Sequence, residues 1–172
     1  MSPPVFGITG WKNSGKTTLT CLLVEEFARR GHRVATVKHA HHLFDADQEG
    51  TDSYRHRQAG AGEVAIVSSR RWAILHELGE ADEPSLTDIL AKLSPCDLVL
   101  IEGYKRESHP KIEARRLAAS GREPLADVDA SICAIAADHP VTGATIPVFA
   151  LDDISGIADM IARKTGLGET AA

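Results

Sequence analysis

The chain has 172 residues, of which 43% are hydrophobic and 25% charged, and its formal net charge at pH 7 is −5. This length and composition are typical of one globular domain, 1–172, that buries a substantial core. The negative charge argues against general nucleic-acid binding, because phosphate backbones are held by basic surfaces. No apolar run approaches the roughly 20 residues of a membrane span, and no signal-peptide pattern opens the chain, so we expect a soluble cytoplasmic protein.

The first predicted strand, 5–9, leads into the sequence Gly-Trp-Lys-Asn-Ser-Gly-Lys-Thr at 10–17. This sequence fits G-x-x-x-x-G-K-S/T, the Walker A or P-loop motif, in which backbone N–H groups surround a polyphosphate. The Lys16 ammonium can reach the β- and γ-phosphate oxygens, and the Thr17 hydroxyl can ligate Mg²⁺. Apolar residues at 19, 22, 23 and 27 then recur with helical spacing. Strand, glycine turn and helix thus follow in the order of a nucleotide-phosphate site.

A second strand, 34–37, follows the first helix, and strand, helix and strand within about thirty residues indicate a right-handed crossover in a parallel sheet. The residues after 37 therefore face the same sheet edge as the P-loop. The segment 38–57 is rich in histidine and aspartate. It can provide metal ligands, a phosphate-sensing switch loop or a polar docking surface, and these alternatives stay open.

Two extended runs between 63 and 78 predict a β-hairpin. If this hairpin stands out from the parallel sheet, its apolar residues need cover, and pairing with a second copy is one way to provide it. Homodimerisation through the hairpin is therefore our hypothesis.

A helix is expected to begin at Pro84-Ser85, and a buried strand follows at 97–103 with an acid near each end. About 16 Å of extended chain separates Asp97 from Glu102, so only one of them can meet the phosphates. Glu102 lies at the carboxyl end of the strand. We expect it to hold Mg²⁺ directly or through water, or to position an attacking water, as a Walker-B acid does.

The remaining chain contains basic runs at 104–106 and 110–116, which either contact an anionic ligand or form a solvated face. Further strands are predicted at 132–136 and 146–150, followed by a final helix. The expected fold is a three-layer α/β P-loop NTPase fold with a mostly parallel sheet. Asp138 follows a strand end, where its carboxylate can accept the N1–H and N2–H donors of guanine. The N-K-x-D signature of many GTPases is absent, so the residues alone favour guanine over adenine only modestly.

The chain resembles the MobB family along nearly all of its length. The resemblance is carried by an ordered set of motifs: the P-loop sequence, Lys38-His39-Ala40-His41-His42 with Phe44-Asp45 and Asp47, Gly50-Thr51-Asp52-Ser53-Tyr54-Arg55-His56, and Leu100-Ile101-Glu102-Gly103-Tyr104-Lys105. It implies a homodimeric GTP-binding adapter of molybdenum-cofactor biosynthesis with weak Mg²⁺-dependent GTPase activity at most. The implied partner is MobA, the guanylyltransferase that joins GMP to molybdopterin, and molybdopterin or its carrier enzymes are further candidates.

The resemblance also implies roles for individual residues. Lys16 and Glu102 would act on the phosphates, Thr17 and Glu102 would hold Mg²⁺, and Asp138 would contact the base. The implied GTP contacts in the loop are Gly10, Lys12, Asn13, Ser14, Gly15, Lys16, Thr17 and Thr18. The chain departs from relatives that use a second, trans-acting lysine directly after the first loop glycine, because Trp11 holds that place. We therefore assign Lys12 no catalytic role.

Two other functions use the same motifs. A small-molecule kinase would need only the loop, Mg²⁺ and Glu102, together with an arginine-rich lid. Arg70-Arg71 and Arg115-Arg116 are the candidates for that lid, and neither belongs to a segment of obvious lid length. The other function is a nucleotide-dependent interaction module without hydrolysis. The sequence shows no identifiable arginine finger or dedicated catalytic base, so slow turnover is expected.

Overall fold

A computed structural model describes residues 3–40, 44–121 and 123–168 of the chain. These residues form two compact units, one made by the chain up to His39 and from Leu93 onward, the other by Ala40–Lys92. None of the helices in the described residues is long and apolar enough to cross a membrane.

The described residues form eight strands and four α-helices. In chain order they are β1 (Val5–Thr9), α1 (Lys16–Arg29), β2 (Val34–Lys38), α2 (Asp52–Gln58), β3 (Glu63–Val67), β4 (Trp72–His76), α3 (Leu86–Lys92), β5 (Leu98–Glu102), β6 (Lys111–Arg115), β7 (Ile132–Ala137), β8 (Val148–Ala150) and α4 (Ile154–Thr165), with a short 3₁₀ helix at Leu125–Asp127 between β6 and β7.

The first unit is built on a six-stranded sheet with the strand order β2-β5-β1-β6-β7-β8. Every neighbouring pair in it is parallel. The predicted α/β fold with a mostly parallel sheet is therefore confirmed. Because β1 lies between β5 and β6, the chain segments that leave the carboxyl ends of these three strands meet at one edge of the sheet.

The core of this unit lies between one face of the sheet and the helices α1 and α4. Apolar side chains from β1, β5, β6, β7 and both helices are buried there. Burial of each of the larger ones contributes roughly 1.5–3 kcal/mol. They include Phe6, Ile8, Leu19, Leu23, Phe27, Leu98, Leu100, Ile112, Ile157 and Ile161. Leu22 was expected in the same stripe but is 37% exposed, because it lines a surface pocket described below.

Strand β6 was not predicted, since its sequence reads as a basic run. Two of its charged residues, Lys111 and Glu113, share one face of the strand and are almost fully buried. Lys111 Nζ donates to Ser131 Oγ at 2.5 Å and lies 3.4 Å from an Asp129 oxygen, while Glu113 accepts from Arg115 at 2.7 Å. These partners offset the cost of burying two charges, so a central strand can carry them.

The second unit contains the antiparallel hairpin β3–β4 together with α2 and α3. The hairpin confirms the predicted pairing of two extended runs. Helix α2 was not predicted; it contacts β3, and its amino end is capped by the Thr51 hydroxyl, which accepts from the Tyr54 N–H at 3.3 Å. Arg57 in this helix pairs with Asp45 at 2.7 Å and with Glu77 at 2.8 Å.

Candidate nucleotide-binding site

The loop between β1 and α1 has the backbone conformation that its glycines permit. Gly10 has φ 143°, and Gly15, the residue before α1, has φ 90°. A Cβ atom at Gly10 would lie 2.5 Å from the carbonyl oxygen of Ala114, so a larger residue cannot be accommodated there without displacing β6. Helix α1 therefore begins at Lys16 with its unsatisfied N–H groups and the positive end of its dipole toward the loop.

Lys16 places a positive charge in this loop. Its Nζ donates to the carbonyl oxygen of Trp11 at 2.6 Å. Burial lowers the pKa of Lys16; the Glu102 carboxylate opposes this shift, and the ammonium groups of Lys105 and Lys38 add to it. The ammonium groups of three lysines are thus close enough to affect one another, and their combined positive charge attracts an anion.

Thr17 and Glu102 meet beside Lys16, although 85 positions separate them in the sequence. The Thr17 hydroxyl donates to Glu102 Oε1 at 2.8 Å, and Lys38 Nζ lies 3.3 Å from the same oxygen. Asp97, at the other end of β5, instead accepts from the backbone N–H of Arg33 at 2.7 Å. The structure therefore places Glu102, and not Asp97, at the loop.

The rest of the loop divides into anchored and exposed residues. The Trp11 indole donates to the Glu123 carbonyl at 2.9 Å, and Lys105 Nζ lies 4.6 Å from the centre of its ring. The side chains of Lys12 and Asn13 are exposed, whereas Ser14 is buried. Among the described residues, the buried Ser14 hydroxyl has no hydrogen-bond partner, so an unsatisfied polar group lies within the loop.

A pocket of about 780 Å³ opens next to Thr18, the residue after the motif. This volume is within the range of small-molecule sites, roughly 300–1,000 Å³. The pocket is lined by α1, by the segment after β6 and by the carboxyl ends of β7 and β8, through residues that include Leu22, Ala118, Asp138, Pro140, Phe149 and Leu151. The predicted base-contact residue Asp138 and Thr18, which directly follows the motif, therefore line the same pocket.

Asp138 is held in a fixed orientation. Its Oδ1 accepts from the backbone N–H of Leu117 at 3.1 Å and lies 2.8 Å from His139 Nδ1. The hydrogen bond from His139 lowers the pKa of Asp138, so its carboxylate stays ionised at neutral pH. An ionised acid can accept from the N–H donors of a base.

Arg116 also reaches the loop. In the sequence it belongs to the basic run 110–116 and is a candidate lid arginine, but it is not predicted to lie at the loop. A Cβ atom at Gly15 would lie 2.7 Å from Arg116 Nε, so this side chain packs on the backbone where α1 begins. Recognition of Lys111–Arg115 as a strand parallel to β1 would have revealed it, because the next residue then falls at the same sheet edge as the loop.

The histidine- and aspartate-rich segment is only partly described, and His41 and His42 lie outside the described residues. In the part that is described, the Asp47 carboxylate accepts from the hydroxyls of Thr51 and Ser53, each at 2.9 Å. The described residues contain no group of three or more His, Cys, Asp or Glu side chains suited to hold a metal ion.

Comparisons with known proteins identify relatives along nearly the whole chain. Residues 5–138 match the family model MobB, described as Molybdopterin guanine dinucleotide synthesis protein B. The chain is 34% identical over 160 residues to the Molybdopterin-guanine dinucleotide biosynthesis adapter protein of Escherichia coli, covering 92% of this chain and 91% of that one. It is 40% identical over 141 residues to the Haemophilus influenzae protein of the same name, covering 80% and 76%.

Solved structures agree with this assignment. The X-ray structure of a MobB protein homolog from Bacillus stearothermophilus aligns with a TM-score of 0.69 at 30% identity, and the alignment covers 94% of this chain and 97% of that chain. Sequence and structure thus point to the same relatives over the same length. The chain belongs to the MobB family.

Proposed function

We propose that this protein is a GTP-binding adapter in the biosynthesis of molybdopterin guanine dinucleotide. The observation that carries the proposal is the contact between Thr17 and Glu102 at a phosphate-binding loop, with Lys16 beside them. The names of the Escherichia coli and Haemophilus influenzae relatives support the adapter role.

The loop would bind the phosphates mainly through backbone N–H groups from Gly10 to Thr18. The Lys16 ammonium would exchange its bond to the Trp11 carbonyl for the β- and γ-phosphate oxygens. Asn13 and Ser14 lie in the same loop. The buried hydroxyl of Ser14 has no partner among the described residues, which supports a ligand contact there.

The donor set at Thr17 and Glu102 fits Mg²⁺. Both side chains offer oxygen atoms, and Mg²⁺ is usually bound by one or two carboxylates together with phosphate oxygens and water. Bound there, the ion would neutralise charge on the phosphates. Glu102 would keep its orientation through Thr17 and Lys38, which already contact it.

The pocket beside Thr18 would hold the nucleoside. Asp138 is ionised and oriented by His139 and Leu117, and its second oxygen can accept from the N1–H and N2–H donors of guanine. Adenine offers no such pair of donors on the corresponding edge. The carboxylate therefore supports GTP as the ligand in preference to ATP.

The proposal includes weak GTPase activity at most. The positions of the candidate lid arginines disfavour a kinase. Arg70-Arg71 lie in the turn of the hairpin between β3 and β4, where the Ser68 N–H donates to the Arg71 carbonyl at 2.8 Å. Arg115 ends a strand and pairs with Glu113. Arg70 and Arg71 therefore lie in a tight turn, and Arg115 is already paired within its strand, so neither site provides a lid that closes over a transferred phosphate.

The proposed partner is MobA, the guanylyltransferase of this pathway, with molybdopterin or its carrier enzymes as further candidates. A homodimer in the cytoplasm is part of the same proposal. The hairpin supports the dimer, since its face bearing Val67, Trp72 and Ile74 is apolar and exposed.

Calorimetric titration with GTP and ATP, with and without Mg²⁺, tests the nucleotide part of the proposal. Wild-type protein should bind GTP more tightly than ATP. Lys16→Ala should weaken GTP binding by about 100-fold or more, since it removes the charge at the phosphates. Lys164→Ala, which removes an exposed lysine near the end of α4, is the matched control and should bind as wild type does.

Two results would overturn this part of the proposal. Unchanged GTP affinity in Lys16→Ala would mean that the loop is structural. Tighter binding of ATP, with phosphate transfer to a small acceptor at more than trace rates, would favour the kinase.

A further inference from the structure

The guanidinium group of Arg116 lies directly on the phosphate loop. A Cβ atom built on Gly15 would lie 2.7 Å from Arg116 Nε and 3.0 Å from its Cζ. The residue is half-buried, so the guanidinium is partly shielded from water where it meets the loop. This position follows from β6, which lies next to β1 in the sheet and ends just before Arg116.

Within the part of the chain that the structure describes, no acidic group neutralises the charge on this guanidinium. Across the described residues, the Arg116 side chain makes no hydrogen bond and no ion pair, whereas its neighbour Arg115 donates to the buried Glu113 carboxylate at 2.7 Å. Partial burial of an unpaired charge is unfavourable, and an anion that binds beside it removes this cost. The two adjacent arginines thus have different roles, and the one without a partner faces the ligand loop.

The position of Arg116 also indicates which part of a nucleotide it would meet. Lys16, Thr17 and Glu102 mark the γ-phosphate and Mg²⁺ end of the loop. Arg116 instead shares the large pocket with Thr18 and Asp138, the residues proposed to lie next to the nucleoside. Arg116 therefore lies on the nucleoside side of the loop.

We propose that Arg116 binds the α- and β-phosphates of the guanine nucleotide. This inference rests on the proposed function and adds a residue to its site. The planar guanidinium can donate two parallel hydrogen bonds to phosphate oxygens, which a lysine cannot do. Because GDP and GTP share these two phosphates, the contact should contribute equally to the binding of both nucleotides.

Titration calorimetry of the full chain with GTP and GDP in the presence of Mg²⁺ tests this inference. Arg116→Met keeps an unbranched side chain on Gly15 but removes the charge, and we expect about 10- to 100-fold weaker binding of both nucleotides. Arg116→Lys keeps the charge but loses the planar guanidinium that donates two parallel hydrogen bonds. Its affinities should therefore lie between those of wild type and Arg116→Met. Arg163→Met removes an exposed arginine near the end of α4 and should not change either affinity.

The ratio of GTP to GDP affinity separates a contact with the two shared phosphates from a contact with the γ-phosphate, and partial recovery of affinity in Arg116→Lys separates the loss of charge from a loss of packing. An unchanged ratio with weaker binding of both nucleotides supports the inference. Affinities of Arg116→Met within about twofold of wild type would overturn it, and so would a loss confined to GTP, which would place the contact at the γ-phosphate. If wild-type protein bound neither nucleotide, the proposed function itself would fail, and this inference with it.

Discussion

Glu102 shows how a single residue connects the core to the site. It ends a strand whose five residues are all buried, and the four before it are Leu98, Val99, Leu100 and Ile101. Such an apolar run is typical of a strand that is covered on both faces of a parallel sheet. The acid at its end is only 9% exposed, and it is stabilised by Thr17 and Lys38. The strand therefore fixes the position of Glu102, and its carboxylate contacts Thr17 next to the loop.

The substitution Glu102→Gln should separate Mg²⁺ dependence from nucleotide binding. Glutamine has nearly the same size and can still accept from Thr17, but it has no charge to hold a cation. GTP affinity measured by calorimetry without Mg²⁺ should be partly retained, and the gain in affinity on adding Mg²⁺ should be lost.

Asp97→Asn is the control for this substitution, because it removes a carboxylate next to the opposite end of the same strand, where Asp97 contacts Arg33. It should retain the full gain in affinity on adding Mg²⁺. If Glu102→Gln showed the same gain in GTP affinity on adding Mg²⁺, the acid that binds Mg²⁺ would lie elsewhere.

Among the elements, the strands differ in how far the sequence reveals them. β1 and β5 could be predicted because their apolar runs end at glycine or an acid. β6 could not, since Lys111 and Glu113 read as a solvated charge pattern, and Ser131, which accepts a hydrogen bond from Lys111, lies 20 positions away. Because that strand was missed, the position of Arg116 at the loop could not be predicted, since it depends on β6 lying beside β1.

The hairpin β3–β4 has two different faces. Val64 and Leu75 pair on one face, where Val64 is buried. Val67 and Trp72 pair on the other, where they are 76% and 68% exposed. Exposed apolar pairs of this kind in a monomer commonly mark a contact surface. The sequence predicted the hairpin, and the hypothesis that a second copy covers its apolar face remains a prediction.

A charge on the apolar face of the hairpin should abolish the dimer. Light scattering at micromolar concentration should give a dimer for wild type and a monomer for Val67→Glu, because a buried, unpaired carboxylate strongly disfavours association. Val128→Glu is the matched control, since Val128 is also exposed, at 85%, but lies outside the hairpin; this variant should remain a dimer. A wild-type monomer under these conditions would contradict the hypothesis.

For the whole molecule, the topology of the sheet explains why distant residues meet. Thr17 lies in the first turn of the helix that follows β1, Glu102 ends β5 and Asp138 follows β7. Parallel strands bring their carboxyl ends to one edge of the sheet. This much could be predicted from the order of strands and helices. The large pocket could not, because its walls depend on how α1 packs against the ends of β7 and β8, an arrangement that leaves Leu22 partly exposed.

Co-purification with the molybdopterin guanylyltransferase, with and without GTP, tests the central claim most directly. That claim is that the protein acts as an adapter when a nucleotide is bound in this loop. The account predicts that the enzyme is retained by wild-type protein with GTP and Mg²⁺, and that retention falls when GTP is omitted or when Lys16→Ala replaces wild type. Failure of the enzyme to bind under any of these conditions, or equal retention in all of them, would contradict the account.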